Sequence, residues 1–293
     1  ESFYYYLCDH CFHYHSERAE LAQRTNICKV CENKLGKHQG TFIIPSFGFM
    51  ADRQPPGNPG EEKPEKTYIT RVCFSGKTAD EQDAVQVPLA DGVTMELVAA
   101  ARGSLAVINH AGLQGFQVCP QCGYAILGNE RPEKSHTTVW GNTCKGSLKR
   151  VSLGHEFETD ILKIYVHNHR DQRNAFWLSL LYAILEGASS ALQIERQDLD
   201  GCLYPTSDNQ MAGPAMILFD DVPGGAGHVL HLARPKTFRE VLEATLHRLQ
   251  QCECGGEEGN SSCYGCLRNY RNQFCHDILN RGMVIEFLKR TLT

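Results

Sequence analysis

The apolar positions change period near residue 155, and that change divides the chain. Beyond it, residues 160–167 alternate like a strand. Phe176, Trp177, Leu180, Leu181, Ile184, Leu185 and Ala188 then recur at helical spacing on one face, which predicts an amphipathic helix. Strands are expected over 191–194, extending to 204, and over 215–220. The glycine turn Pro223-Gly-Gly-Ala-Gly227 leads to a helix over 238–249, and a closing helix turns Leu279, Val284, Phe287 and Leu288 inward. Before residue 155 the runs at 68–74, 94–99, 104–109 and 115–118 are β-like, with Gly103 marking the tightest turn. These patterns predict an α+β protein in which an antiparallel sheet precedes a mixed α/β region.

Cysteine spacing adds the chemistry. The chain has 14 Cys in 293 residues, most of them in close pairs. Such pairs in a chain this long point to zinc in a reducing, cytoplasmic setting instead of a secreted disulfide framework. Cys8-x2-Cys11 with Cys28-x2-Cys31 offers four soft ligands in two tight turns, the pattern of a zinc ribbon over residues 1–40. Nearby His10, His13 and His15 read as surface residues beside a full Cys set. The second cluster, Cys119, Cys122 and Cys144, needs a fourth ligand. His136 lies between them in a polar loop, with His110 and His155 as competitors. It belongs to a β-rich region over 41–150 that ends in a zinc knuckle. The third cluster, Cys252, Cys254, Cys263 and Cys266, sits within an α/β region over 151–293, where Cys275 or His276 could replace one member. Three zinc ions per chain are therefore expected. Each set offers four protein ligands, whereas catalytic zinc keeps an open position, so the sites are expected to be structural. Cys73 and Cys202 lie in apolar runs and read as buried hydrophobes.

Other features exclude more than they assign. No apolar run approaches the roughly 18–20 residues that span a bilayer, and the start, which lacks a Met, reads as part of a longer protein without a signal peptide. The formal charge is -5. Eleven ligand thiolates against three Zn²⁺ would lower it by five more, to about -10, so net charge will not hold nucleic acid. The polar, Pro/Gly-rich stretch 54–64 reads as a loop. Ser75-Gly76-Lys77-Thr78 resembles the end of a phosphate-binding loop, but Arg71 stands where its first glycine belongs, so a surface turn is expected. Asp220 to Gly227 could form an anion-binding nest or simply a tight turn. Glu156, Glu158, Asp160, Glu195, Asp198 and Asp220 could together make a Mg²⁺ nuclease site, the alternative enzymatic reading. Arg268, Tyr270 and Arg271 just after Cys266 suit contacts with single-stranded DNA; the competing reading is that the arginines pair with carboxylates and brace the fold.

Cys252-x-Cys254, then Ser262-Cys-Tyr-x-Cys-Leu-Arg-x-Tyr-x-Asn-Gln273, His276 and Leu279-Asn-Arg281, together with Gly154-His-Glu-Phe-x-Thr-Asp160 and the 220–227 turn, resemble the MZB (MrfA-type zinc-binding) domain. The likeness covers roughly residues 115–290. That domain ends bacterial DEAD/DEAH-box superfamily-two helicases and occurs in helicase-associated subunits of phage-defence systems such as DISARM and Druantia. The resemblance implies that Cys252, Cys254, Cys263 and Cys266 ligate zinc, and that the chain works with a helicase motor whose own motifs it lacks. The expected role is a non-catalytic brace that contacts DNA in repair or anti-phage defence. A protein-interaction module is a further alternative.

Overall fold

The computed structural model describes residues 1–45, 70–111, 114–206 and 213–293. The loop expected at 54–64 and the first two residues of the run at 68–74 lie outside them. Strands β1 (Ser2–Leu7), β2 (Tyr14–Arg18) and β3 (Gln39–Ile43) are followed by β4 (Thr70–Glu81), β5 (Val85–Pro88) and β6 (Thr94–Asn109). Then come the hairpin β7 (Phe116–Val118) and β8 (Ala125–Leu127), the small pair β9 (His136–Thr137) and β10 (Thr143–Cys144), and β11 (Lys149–His167). Helix α1 (Asn174–Leu192) leads to β12 (Leu199–Tyr204), β13 (Ala215–Asp220), α2 (His228–Leu232), α3 (Pro235–Gln250) and α4 (Arg281–Leu292). Eleven of the strands form one mixed sheet, antiparallel except where β3 meets β11, so the protein is α+β.

β11 organises this sheet. It pairs with β6 along most of its length, with β13 on its other edge, with β7 at its start and with β3 at Ser152 and Leu153. Leu162, Ile164 and Val166 pack with Met95 and Leu97 beneath α1, α3 and α4. Ile161 faces the other way, toward Phe74, Leu105 and Phe219. That second face is covered because β4 comes round against β12, with Phe74 edge-on to Tyr204 at 5.0 Å. A strand covered on both faces carries apolar residues in succession, so alternation revealed only the last part of β11.

Three local expectations change for related reasons. Gly103 makes no turn: β6 runs through it without a break. A Cβ there would lie 2.4 Å from Ile161, next to the register shift between Thr159 and Ile161, so this glycine admits a bulged neighbour. Residues 191–194 are not strand, since α1 continues to Leu192 and a 3-10 turn at Arg196–Asp198 intervenes before β12. The Ser75–Thr78 stretch is an irregularity inside β4, where pairing with β6 shifts between Phe74 and Thr78, and not a surface turn. Helix α1 is amphipathic only at its ends. Residues 176–189 are all buried, because the sheet lies on one side and α3 and α4 on the other. By length and composition α1 reaches the range of a membrane span, contrary to the reading of its apolar run, and most of it is inside the fold.

Candidate metal centres

The first cluster is made by two turns of the same geometry. The Cys8 carbonyl accepts the Phe12 N–H at 2.9 Å, and the Cys28 carbonyl accepts the Glu32 N–H at 3.1 Å. Phe12 and Glu32 both take left-handed φ, at 65° and 58°. That conformation tips the two sulfurs of each C-x-x-C turn toward a common point. Cys8 and Cys31 Sγ are 3.6 Å apart, and Cys11 and Cys28 Sγ 3.7 Å. The Val30 N–H donates to Cys28 Sγ, as expected of a turn built to hold a thiolate. Burial pushes the Cys31 thiol up, but hydrogen bonds from Asn33 and the neighbouring thiols outweigh it and hold its pKa at about 6.

The second cluster repeats the turn with a better residue for it. Gly123, at φ 77°, donates its N–H to the Cys119 carbonyl within the β7–β8 hairpin. The β9–β10 pair sets His136 directly opposite Cys144. His136 Nε2 comes to 3.1 Å from Cys122 Sγ, and its ring is stacked on Tyr124. The four ligand atoms lie within 4.8 Å of one another. Neither competing histidine joins them: His110 bonds the Tyr5 hydroxyl at 2.7 Å, and His155 lies beside Phe157. Burial raises the Cys119 thiol, but the Gln121 and Cys122 amides outweigh it and bring its pKa to about 7.

The third cluster joins α3 to α4. Cys252 Sγ is 3.4 Å from Cys254 and 3.5 Å from Cys263, and Cys254 is 3.7 Å from Cys266. Cys275 stays outside it, buried and bonded to the Asn272 carbonyl, and His276 Nε2 lies against the Asn269 carbonyl and the Asn272 side chain. Burial pushes the Cys275 thiol up to about 12, as befits a core residue.

Sequence reasoning gave no role to Arg281, which is buried beside this cluster. Its guanidinium donates to the carbonyls of Cys254 at 2.8 Å, Gly256 at 2.9 Å and Leu249 at 3.2 Å. It therefore closes the C-terminal end of α3 and fixes the first half of the cysteine loop. A cation at the start of α4 opposes that helix's own dipole, which is the one sequence signal that it serves another element. Arg268 and Arg271 are engaged too. Arg268 Nε donates to Ser262 Oγ at 2.9 Å, and Arg271 pairs with Asp221 and lies 3.7 Å from Asp200. Tyr270 between them is 45% exposed.

The acidic residues do not converge on a metal site: Asp160 and Asp220 meet at the glycine turn, with no third described acidic side chain in ligating reach. Asp220 is fully buried and accepts N–H groups from Ala226 at 2.7 Å, His228 at 3.0 Å and Val229 at 3.0 Å. Asp160 accepts the Gly227 N–H at 2.9 Å, and burial, with Asp220 nearby, raises its pKa. The glycine turn is thus filled by the protein's own carboxylates. Glu156 accepts from Ser16, and Glu195 and Asp198 cap the 3-10 turn. Among the described residues, the groups of three or more such side chains close enough for a metal are the three cysteine clusters. Asp220→Ala should therefore destabilise the fold by about 3 kcal/mol, since three N–H groups, that of Val229 fully buried, lose their partner. A urea midpoint equal to that of the unaltered chain would contradict this account of the turn.

Three closed sets of four Cys or His side chains on one α+β scaffold make this a protein with three Cys-rich clusters, each able to hold a metal ion. Residues 180–267 match the family model of MZB, the MrfA Zn-binding domain, and the match includes all four cysteines of the third cluster. The resemblance drawn from the 262–273 motif is borne out, over a shorter span than the motifs implied. The chain is similar to Druantia protein DruE of Escherichia coli (strain UMEA 4076-1), with 28% identity over 299 residues. That likeness takes in 91% of this chain but 16% of DruE, so the chain spans a small part of its curated relative. Two solved structures also show similarity. One is the DUF1998 helicase MrfA bound to DNA, with a TM-score of 0.42, 14% identity and coverage of 76% of this chain and 26% of that one. The other is MrfA bound to DNA and AMPPNP, with a TM-score of 0.32, 11% identity and coverage of 76% and 22%.

Proposed function

We propose that this chain is a zinc-stabilised, non-catalytic region of a DNA helicase, or of a helicase-associated subunit, in bacterial DNA repair or anti-phage defence. It braces the motor and contacts nucleic acid. The observation that carries the reading is the closure of each cluster. Four ligand atoms converge from two chain segments, so a Zn²⁺ there would have a full tetrahedron and no position for substrate. The match to a Zn-binding domain, which takes in the third cluster, supports zinc as the metal, and the similarity to Druantia protein DruE supports the setting. The contacts of Arg268 and Arg271 support the bracing reading of those two residues. Metal analysis of the purified chain should find three zinc ions per molecule; one or fewer under non-chelating conditions would overturn the proposal.

One observation favours the interaction-module reading as a second role. Val139 and Trp140 lie at the tip of the β9–β10 turn, 64% and 85% exposed, directly beyond the second cluster. An indole held out by a metal-braced hairpin suits a protein partner.

A further inference from the structure

β3 and β11 run parallel but pair only at Phe42 and Ile43 with Ser152 and Leu153. On the N-terminal side of that contact, residues 39–41 and 150–152 line opposite parts of a cleft of about 410 Å³ between the first cluster's ribbon and the β7 edge. The floor is built and polar: the buried Tyr5 hydroxyl bonds His110 Nδ1 at 2.7 Å and Ser152 Oγ at 3.1 Å. Three exposed cations surround it, Arg24, Lys37 and Arg150, with the amide side chains of Asn26, Gln39 and Gln114 between them. Among the described residues no Asp or Glu lines it, in a chain whose formal charge is -5. Arg150 is steadied through one nitrogen by the Gly128 carbonyl at 3.0 Å. None of the three cations forms an ion pair among the described residues, whereas Arg271, Arg196, Arg248, Arg290 and Lys163 all do.

We propose that this cleft binds the phosphodiester backbone of a nucleic-acid strand, with Arg24, Lys37 and Arg150 contacting phosphates and the amide side chains donating to the same oxygens. Cations left unpaired around an acid-free cleft are what phosphate binding requires, and amides are common phosphate donors. A cleft of about 410 Å³ has room for one backbone, and single-stranded DNA is the probe that tests it. Burial lowers the pKa of His110 to about 3, so that residue contributes a neutral floor and no charge.

This inference rests on the nucleic-acid contact proposed above, and the test separates the two. Binding of a labelled single-stranded DNA is measured by anisotropy across a salt series for the unaltered chain, for Arg24→Ala with Lys37→Ala, and for the triple variant that adds Arg150→Ala. Zinc content and thermal midpoint are checked for each. Affinity should fall roughly tenfold or more in the triple variant, and the slope of log affinity against log salt should flatten by about 2. The double variant, whose two residues hold no ion pair in the described fold, should show about two-thirds of that flattening. DNA binding that survives both changes and falls instead with Arg268→Ala and Arg271→Ala would overturn the cleft assignment while keeping nucleic-acid contact. An unaltered chain that binds no DNA, or that binds a Glu-rich peptide there in its place, would overturn both.

Discussion

Cys263→Ser should leave the region from α3 to α4 unfolded and lower the zinc content from three ions to two. Cys263 makes the close approach to Cys252, and its carbonyl accepts the N–H groups of Cys266, Leu267 and Arg268, so it organises the second half of the loop. Cys266 and Leu267 are buried in the main core with Val284, Phe287 and Leu288 of α4. In small zinc domains the metal contributes about 10–16 kcal/mol to folding, as much as the whole stability of an ordinary domain. Loss of one ligand should therefore release α4 from α1 and α3. Cys275→Ala is the comparison, because Cys275 is more deeply buried than Cys263 but its thiol bonds the Asn272 carbonyl, outside the cluster. It should cost about 1 kcal/mol and keep all three zinc ions. Metal analysis with limited proteolysis distinguishes the two. A soluble, protease-resistant Cys263→Ser protein with unchanged zinc would mean that the third cluster is not a metal centre.

The clusters were legible in the sequence because metal ligation is local. A C-x-x-C turn brings two sulfurs together whatever the rest of the chain does, and the structure completes it with a hydrogen bond from the fourth residue on. His136 was harder, since only the β9–β10 pairing sets it opposite Cys144. The helices of the second half were legible from their period, and so was β13 as a short apolar run, while the long strands β6 and β11 were legible only in pieces. β6 and β11 look like broken pieces at Gly103 and before Asp160, because a glycine that admits Ile161 and one that makes a turn leave the same mark. The long-range pairs were out of reach. Arg271 meets Asp221 and Asp200 from fifty residues and more away, so its sequence surroundings suggest a free basic patch that the fold has already engaged. The acid-free cleft drew nothing from local pattern either, for Arg24, Lys37 and Arg150 are neighbours only once β3 and β11 are side by side.

Arg281→Met should destabilise the protein by about 3–5 kcal/mol and speed zinc loss from the third cluster. Methionine keeps much of the length and apolar stem of arginine but donates nothing, so the carbonyls of Leu249, Cys254 and Gly256 lose their partner inside a region where Arg281 is only 5% exposed. Electrostatics adds to the loss. Four thiolates around one Zn²⁺ would leave a charge of about -2 at the end of α3, where the helix carbonyls are already negative, and the guanidinium is the buried cation beside them. Lysine at 281 should recover only part of the stability, since one ammonium cannot hold three divergent carbonyls in the plane that a guanidinium spans. Urea unfolding measures the stability, and the rate of zinc transfer to a chelating dye measures how firmly the loop holds its metal. If Arg281 acted only as a core spacer, methionine would leave both nearly unchanged. If it acted only through charge, lysine would restore both in full. The three carbonyl bonds predict neither: methionine should be worst, lysine intermediate, and zinc release should follow the same order as the unfolding midpoint.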